Sequence, residues 1–99
     1  YAAGEAIPGA VLAIETLRSE GVQIRFATNT TRQPRSALVQ RLRGFGIEAV
    51  ADDLVTAPLA AVAWLRAQGV QSVALYLSEA THSEFQGFTL TEDSPDAVV

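Results

Sequence analysis

Cysteine and lysine are both missing from these 99 residues. Without cysteine there is no disulfide framework, no thiolate metal site and no thiol nucleophile, and redox usage says nothing about compartment. Without lysine, all seven basic residues are arginines; eleven acidic residues bring the net charge to −4. Gripping a nucleic-acid backbone needs a field of excess positive charge, so no nucleic-acid partner is expected. No uninterrupted apolar run approaches the ~20 residues of a membrane span, and the first residues lack the basic-then-apolar layout of a secretion signal. No membrane partner is expected either, and the default location is the cytoplasm.

The composition is that of a packed protein, 48% hydrophobic and 18% charged, well away from the profile of disordered chains. The length suits one modest core and is short for a two-domain enzyme. Val11, Ile14 and Leu17 recur at helical spacing and Gly21 stops them, which predicts a helix over residues 9–20. Val22, Ile24 and Phe26 then alternate with Gln23 and Arg25, the pattern of a strand that ends in polar Thr28-Asn29-Thr30-Thr31. Pro34 is tolerated in a helix's first turn, and Leu38, Leu42 and Phe45 follow at i, i+4 and i+7, giving a second helix to about Arg43, closed by Gly44 and Gly46. After the apolar pair Leu54-Val55, Thr56 caps a third helix whose Leu59, Val62 and Leu65 share a face before Gly69. A strand is predicted over residues 72–77, a loop with one helical turn over residues 78–85, and a further strand at Ala97-Val98-Val99. The order of elements is that of an α/β fold with crossover units and a parallel sheet, in which ligands sit at the carboxyl ends of the strands.

By that rule the stretch Phe26-Ala27-Thr28-Asn29-Thr30-Thr31 is the candidate site. An apolar strand there runs straight into short hydroxyl and amide side chains. Hydroxyls and free backbone N–H groups at such a turn suit phosphoryl oxygens, which want several hydrogen bonds at once. A plain strand-to-helix turn, with Asn29 or Thr31 bonding local backbone, fits the same residues. Two further readings stay open: a non-catalytic α/β module that holds an anion on residues 28–31, and a purely structural or interaction domain. Dinucleotide binding is disfavoured, since no Gly-x-Gly-x-x-Gly follows a strand.

Several segments, in order, resemble one family. Residues 4–10, Gly-Glu-Ala-Ile-Pro-Gly-Ala, resemble the stretch after the first catalytic motif of the haloacid dehalogenase superfamily, and residues 26–31 resemble its second motif, a strand delivering Thr then Asn. Arg35, Leu38, Leu42 and Gly46-Ile47 fit the helix that follows. Val55-Thr56-Ala57-Pro58, Ser83-Glu84-Phe85 and Pro95-Asp96-Ala97-Val98-Val99 fit the start of an inserted cap. The branch is subclass IIA, which contains NagD-like phosphatases and phospholysine-phosphohistidine-pyrophosphate phosphatases.

The resemblance implies a Rossmann-like core over residues 1–53 and the opening of an inserted α/β cap of the C2 type over residues 54–99. It implies a Mg²⁺-dependent phosphohydrolase of small phosphorylated molecules, in which an aspartate attacks phosphorus and a second serves as acid and base. Thr28 matches the hydroxyl that holds a phosphoryl oxygen. Asn29, Thr30 and Arg32 would face the substrate, and a homodimer through the cap is a further expectation. The family's Asp-x-Asp-Gly motif is expected just before Tyr1 and its lysine and late Gly-Asp-Asp beyond Val99. This stretch would then be an amino-terminal portion without the nucleophile, and no metal ligand is assigned within it.

Other residues carry weaker signals. Asp52-Asp53 lacks the surrounding strand and glycine of the family's metal pair and reads as a solvated loop pair. His82, the single histidine, has Glu79, Glu84 and Asp96 as acidic company without metal-triad spacing. Trp64 reads as core or interface packing, and Arg18, Arg25 and Arg66 as surface residues. Arg32, Arg35, Arg41 and Arg43 admit a local basic patch, for which a solvated helix face is the simpler reading.

Overall fold

The computed structural model describes residue 1 and residues 4–99. It contains three helices and five short strands among the described residues: α1 (Ala10–Ser19), β1 (Phe26–Thr28), α2 (Arg35–Gly44), β2 (Leu54–Thr56), α3 (Ala57–Ala67), β3 (Ser72–Ala74), β4 (Thr89–Leu90) and β5 (Ala97–Val98). A 3-10 turn, Ala51–Asp53, precedes β2, and a 3-10 helix, Glu79–Phe85, follows β3. Two compact units result, Tyr1–Phe26 with Arg35–Leu54, and Ala27–Pro34 with Val55–Val99.

All three helices end the same way. At each, a glycine with φ near +80° (Gly21, 79°; Gly46, 82°; Gly69, 74°) occupies the left-handed region that a Cβ disfavours. The next residue's N–H reaches back five residues, from Val22 to Leu17 O (3.0 Å), Ile47 to Leu42 O (2.9 Å) and Val70 to Leu65 O (3.1 Å). The glycine N–H bonds Arg18 O, Arg43 O or Arg66 O in turn, so carbonyls orphaned at the helix end are satisfied by a Schellman motif. For α2, Gly46 is the stop, while Gly44 is the helix's last residue.

In the first unit, Leu38, Val39 and Leu42 of α2 bury with Ile47, Ala49 and Leu54, and Val11, Ile14, Phe26 and Phe45 pack against them. The helical faces read from the sequence meet here, except that Leu17 is exposed. No residue of α1 is fully buried, and Leu12 is 68% exposed.

In the second unit, β3 lies between two parallel neighbours. Ser72 and Val73 stand opposite Thr89 and Leu90 of β4; Val73 and Ala74 stand opposite Ala97 and Val98 of β5. The expected parallel sheet is present. α3 starts on Thr56, whose hydroxyl accepts from Leu59 N at 3.3 Å, as the capping preference of threonine predicts. Val62 and Leu65 of α3 bury against Val73 and Phe85, with Val70, Leu75, Leu77 and Phe88 around them.

Three expectations need correction, and one strand was not predicted. The first strand is Phe26–Thr28, displaced towards the carboxyl end of the predicted stretch. Exposure does alternate strictly over residues 23–30, so the period was right and the paired part was not. β3 stops at Ala74, although Tyr76 N still bonds Val99 O at 2.7 Å. β4 has no sequence signature, being two exposed residues. Trp64 is 62% exposed, which removes it from any core.

Candidate functional site

Thr28 is the last residue of β1, half-buried, rather than a loop residue. Its Oγ1 accepts from Thr30 N at 3.3 Å, and Thr30 Oγ1 accepts from Arg32 N at 3.4 Å. These two overlapping hydroxyl turns fold the backbone of residues 28–32 over itself. Local bonding is thus made by Thr28 and Thr30, not by Asn29 or Thr31. A hydroxyl carries one proton besides its acceptor lone pairs. Among the described residues no acceptor takes the proton of Thr28, so it remains available for an incoming oxygen. The side chains of Asn29, Thr31 and Arg32 are exposed.

One contributor to this loop escaped sequence reasoning. Thr81, in the 3-10 helix, is fully buried. Its Oγ1 donates to Ser78 O at 2.7 Å and reaches Thr31 O at 3.3 Å, across fifty positions. The signal for it lay only in a threonine standing where a helical turn was expected.

The other arginines of the stretch have separate tasks. Arg41 donates to the Tyr1 hydroxyl at 3.2 Å and lies 5.5 Å over its ring, and Arg43 Nε donates to Ala49 O at 3.1 Å. Neither the local basic patch nor the freely solvated face describes them. Asp53 is more than half of a solvated pair: Oδ1 meets Arg25 Nη1 at 3.2 Å and Oδ2 accepts from Val50 N at 3.0 Å. Arg25, read as a plain surface residue, is its partner.

Asp96 ties β5 to β3. One carboxylate oxygen, Oδ2, accepts from Gln71 N (3.0 Å), Ser72 N (2.8 Å) and Ser72 Oγ (2.9 Å), while Asp96 N donates to Ser72 Oγ at 3.0 Å. The Ser72 and Gln71 N–H groups, then the Ser72 hydroxyl, hold the charged form and lower its pKa below the usual 3.8. His82 therefore has no partner in Asp96. Its Nε2 is buried without a hydrogen bond among the described residues. His82 also lines a pocket of about 250 Å³ with Val73, Ala74, Leu75, Leu90, Thr91 and Glu92, at the carboxyl ends of β3 and β4. None of the residues 28–32 lines that pocket.

No group of three or more His, Asp or Glu side chains placed to hold a metal ion is found among the described residues. No helix among them is long and apolar enough to cross a membrane.

The chain combines a parallel three-stranded sheet with a hydroxyl-rich turn at the carboxyl end of β1, and in open α/β folds ligands sit at the carboxyl ends of the strands. The chain belongs to the haloacid dehalogenase-like hydrolases, whose family model matches residues 1–91. It is 34% identical over 94 residues to human haloacid dehalogenase-like hydrolase domain-containing protein 2, covering 95% of this chain and 35% of that protein. To human phospholysine phosphohistidine inorganic pyrophosphate phosphatase it is 33% identical over 97 residues, covering 97% of this chain and 34% of the relative. The chain thus spans about a third of the length of these relatives. NagD from Escherichia coli K-12 superposes with a TM-score of 0.88 at 25% identity, over 99% of this chain and 40% of NagD. A glycerol phosphate phosphatase from Mycobacterium tuberculosis, solved with magnesium, gives 0.85 at 26% identity over 99% of this chain and 31% of its own. The expected α/β, Rossmann-type fold and the NagD-like kinship both hold.

Proposed function

We propose that residues 28–32 are the phosphate-gripping loop of a phosphohydrolase acting on small phosphorylated molecules. The observation that carries the reading is Thr28 at the carboxyl end of β1, its Oγ1 lone pair engaged by Thr30 N and its proton directed to no acceptor among the described residues. In this reading Thr28 donates to a phosphoryl oxygen. Asn29 and Thr30 border the same oxygen, and the Arg32 guanidinium supplies charge and a two-pronged donor set. Fixing these donors before the substrate arrives favours the transition state, because charge grows on the oxygens they face.

The attacking aspartate and the carboxylates that would hold Mg²⁺ are assigned in this proposal to residues other than these 99. Residues 1–53 are proposed as part of the catalytic core and 54–99 as the opening of a cap, with a homodimer through that cap and a cytoplasmic location as accompanying proposals. The experiment is Thr28→Ala in the whole protein, assayed on p-nitrophenyl phosphate with Mg²⁺. Loss of one preorganised donor should lower kcat by about 10²–10³ with the melting temperature little changed. Unchanged turnover would sink the assignment. Phosphate binding without metal-dependent turnover would favour the anion-binding module instead, and no phosphate-induced rise in melting temperature would favour a structural turn.

A further inference from the structure

We propose that Thr81 is a positioning residue for the 28–32 loop, an inference that rests on the reading just given. Two bonds inside the loop, Thr28 Oγ1 from Thr30 N and Thr30 Oγ1 from Arg32 N, set its shape. Neither fixes where that shape sits. The Thr81 hydroxyl ties it to the 3-10 helix, sharing its single proton between Ser78 O at 2.7 Å and Thr31 O at 3.3 Å.

Three features suit Thr81 to this task. It has 0% of its surface exposed, so its hydroxyl is anchored in packed protein instead of competing with water. As a β-branched residue it has a stiff first side-chain torsion. Its two acceptors are also unequal. Ser78 O already takes the Thr81 N–H at 2.8 Å, whereas for Thr31 O the Thr81 hydroxyl is the single donor found among the described residues. Removing the hydroxyl therefore leaves Ser78 O paired and frees Thr31 O. The end of the loop is then untied while the 3-10 helix keeps its backbone bond.

The effect on chemistry follows from the tolerance of donor placement. A shift of about 1 Å in a positioned group is enough to cost up to ~10²-fold in rate, and sites lose precision when the residues supporting them loosen. The expectation for Thr81→Val in the whole protein is a fall of roughly tenfold or more in kcat/KM for p-nitrophenyl phosphate, with weaker inhibition by inorganic phosphate. Thr81→Cys, whose thiol fills similar space but donates weakly, should follow the valine variant. Thr81→Ser keeps the hydroxyl and loses only a methyl, so it should restore kcat/KM and phosphate inhibition even where its melting temperature is the lower one.

Each variant is measured below the melting temperature of the least stable, with Thr28→Ala alongside. Loss in Val and Cys with rescue in Ser supports the tether. If Ser loses as much as Val and Cys, or if all three keep full activity while Thr28→Ala collapses, Thr81 is only a packing residue and the proposal is overturned, with the loop's role intact. If Thr28→Ala is itself fully active, the loop reading fails and Thr81 loses its role with it.

Discussion

The helices α1 and α3 show how differently two segments of similar length are held. The first, ten residues long, touches its core only through half-buried Val11 and Ile14, leaving Leu12 in solvent. The second, of eleven residues, sets Val62 and Leu65 into a cluster with Val73 and Phe85, of which Val73 and Phe85 have 1% of their surface exposed or less. Apolar content alone does not explain the contrast, because both sequences have an apolar stripe at helical spacing. What differs is what lies beneath the stripe: a three-stranded parallel sheet and a 3-10 helix beneath α3, and fewer partners beneath α1. Stability of the second unit therefore rests on apolar burial, and disruption there should cost most.

The largest effect is expected at Phe85. Phe85→Ala removes the most fully buried large side chain and should destabilise the protein by about 3–5 kcal/mol, against within about 0.5 kcal/mol for Leu12→Ala on the exposed side of α1. Denaturant midpoints of the two variants check this, and comparable losses would erase the contrast. A smaller effect is expected from the Ser72–Asp96 latch in the same sheet. Because the native pKa of Asp96 lies below its unfolded value of 3.8, the unfolded chain binds more protons between the two values and stability rises with pH across that interval. The contribution is whole above pH 3.8 and is lost as pH falls through the lowered native value. Urea titrations from pH 6 downwards should therefore show wild type and Asp96→Asn converging as the medium becomes acid, and a constant gap would refute the latch. Smallest is the ion pair of the first unit. Arg25 is 56% exposed, so Arg25→Ala should cost no more than about 1 kcal/mol, and less in high salt.

The same contrast separates what the sequence disclosed from what it hid. The three helices and their glycine stops were legible because periodicity and left-handed backbone are local properties. Val22 to Phe26 shows the limit of that legibility: alternation marks which side chains turn inward, but a strand also needs a partner. The partner begins at Leu54, which opposes only the last part of the pattern. β4 was invisible because two exposed residues carry no periodicity, and they pair only because β3 offers a free side. At the candidate site, Thr28, Asn29, Thr30 and Arg32 were found by residue type. Thr81 was not, since its significance depends on an approach across fifty positions that no local pattern encodes. Asp53 was underestimated for the same reason, its partner Arg25 lying twenty-eight positions away.

The three helix ends closed on left-handed glycines have a consequence for how this chain can change over time. Each glycine fixes the phase at which its helix stops, and so the direction in which Val22, Ile47 or Val70 leaves. The helices are in effect cut to measure, 10, 10 and 11 residues, or about 15–17 Å apiece. One residue added inside a helix would turn everything beyond it by about 100° and carry the stop away from the face it serves. Growth and loss are thereby steered into the connections, where loops such as residues 91–96 can lengthen without resetting any buried stripe.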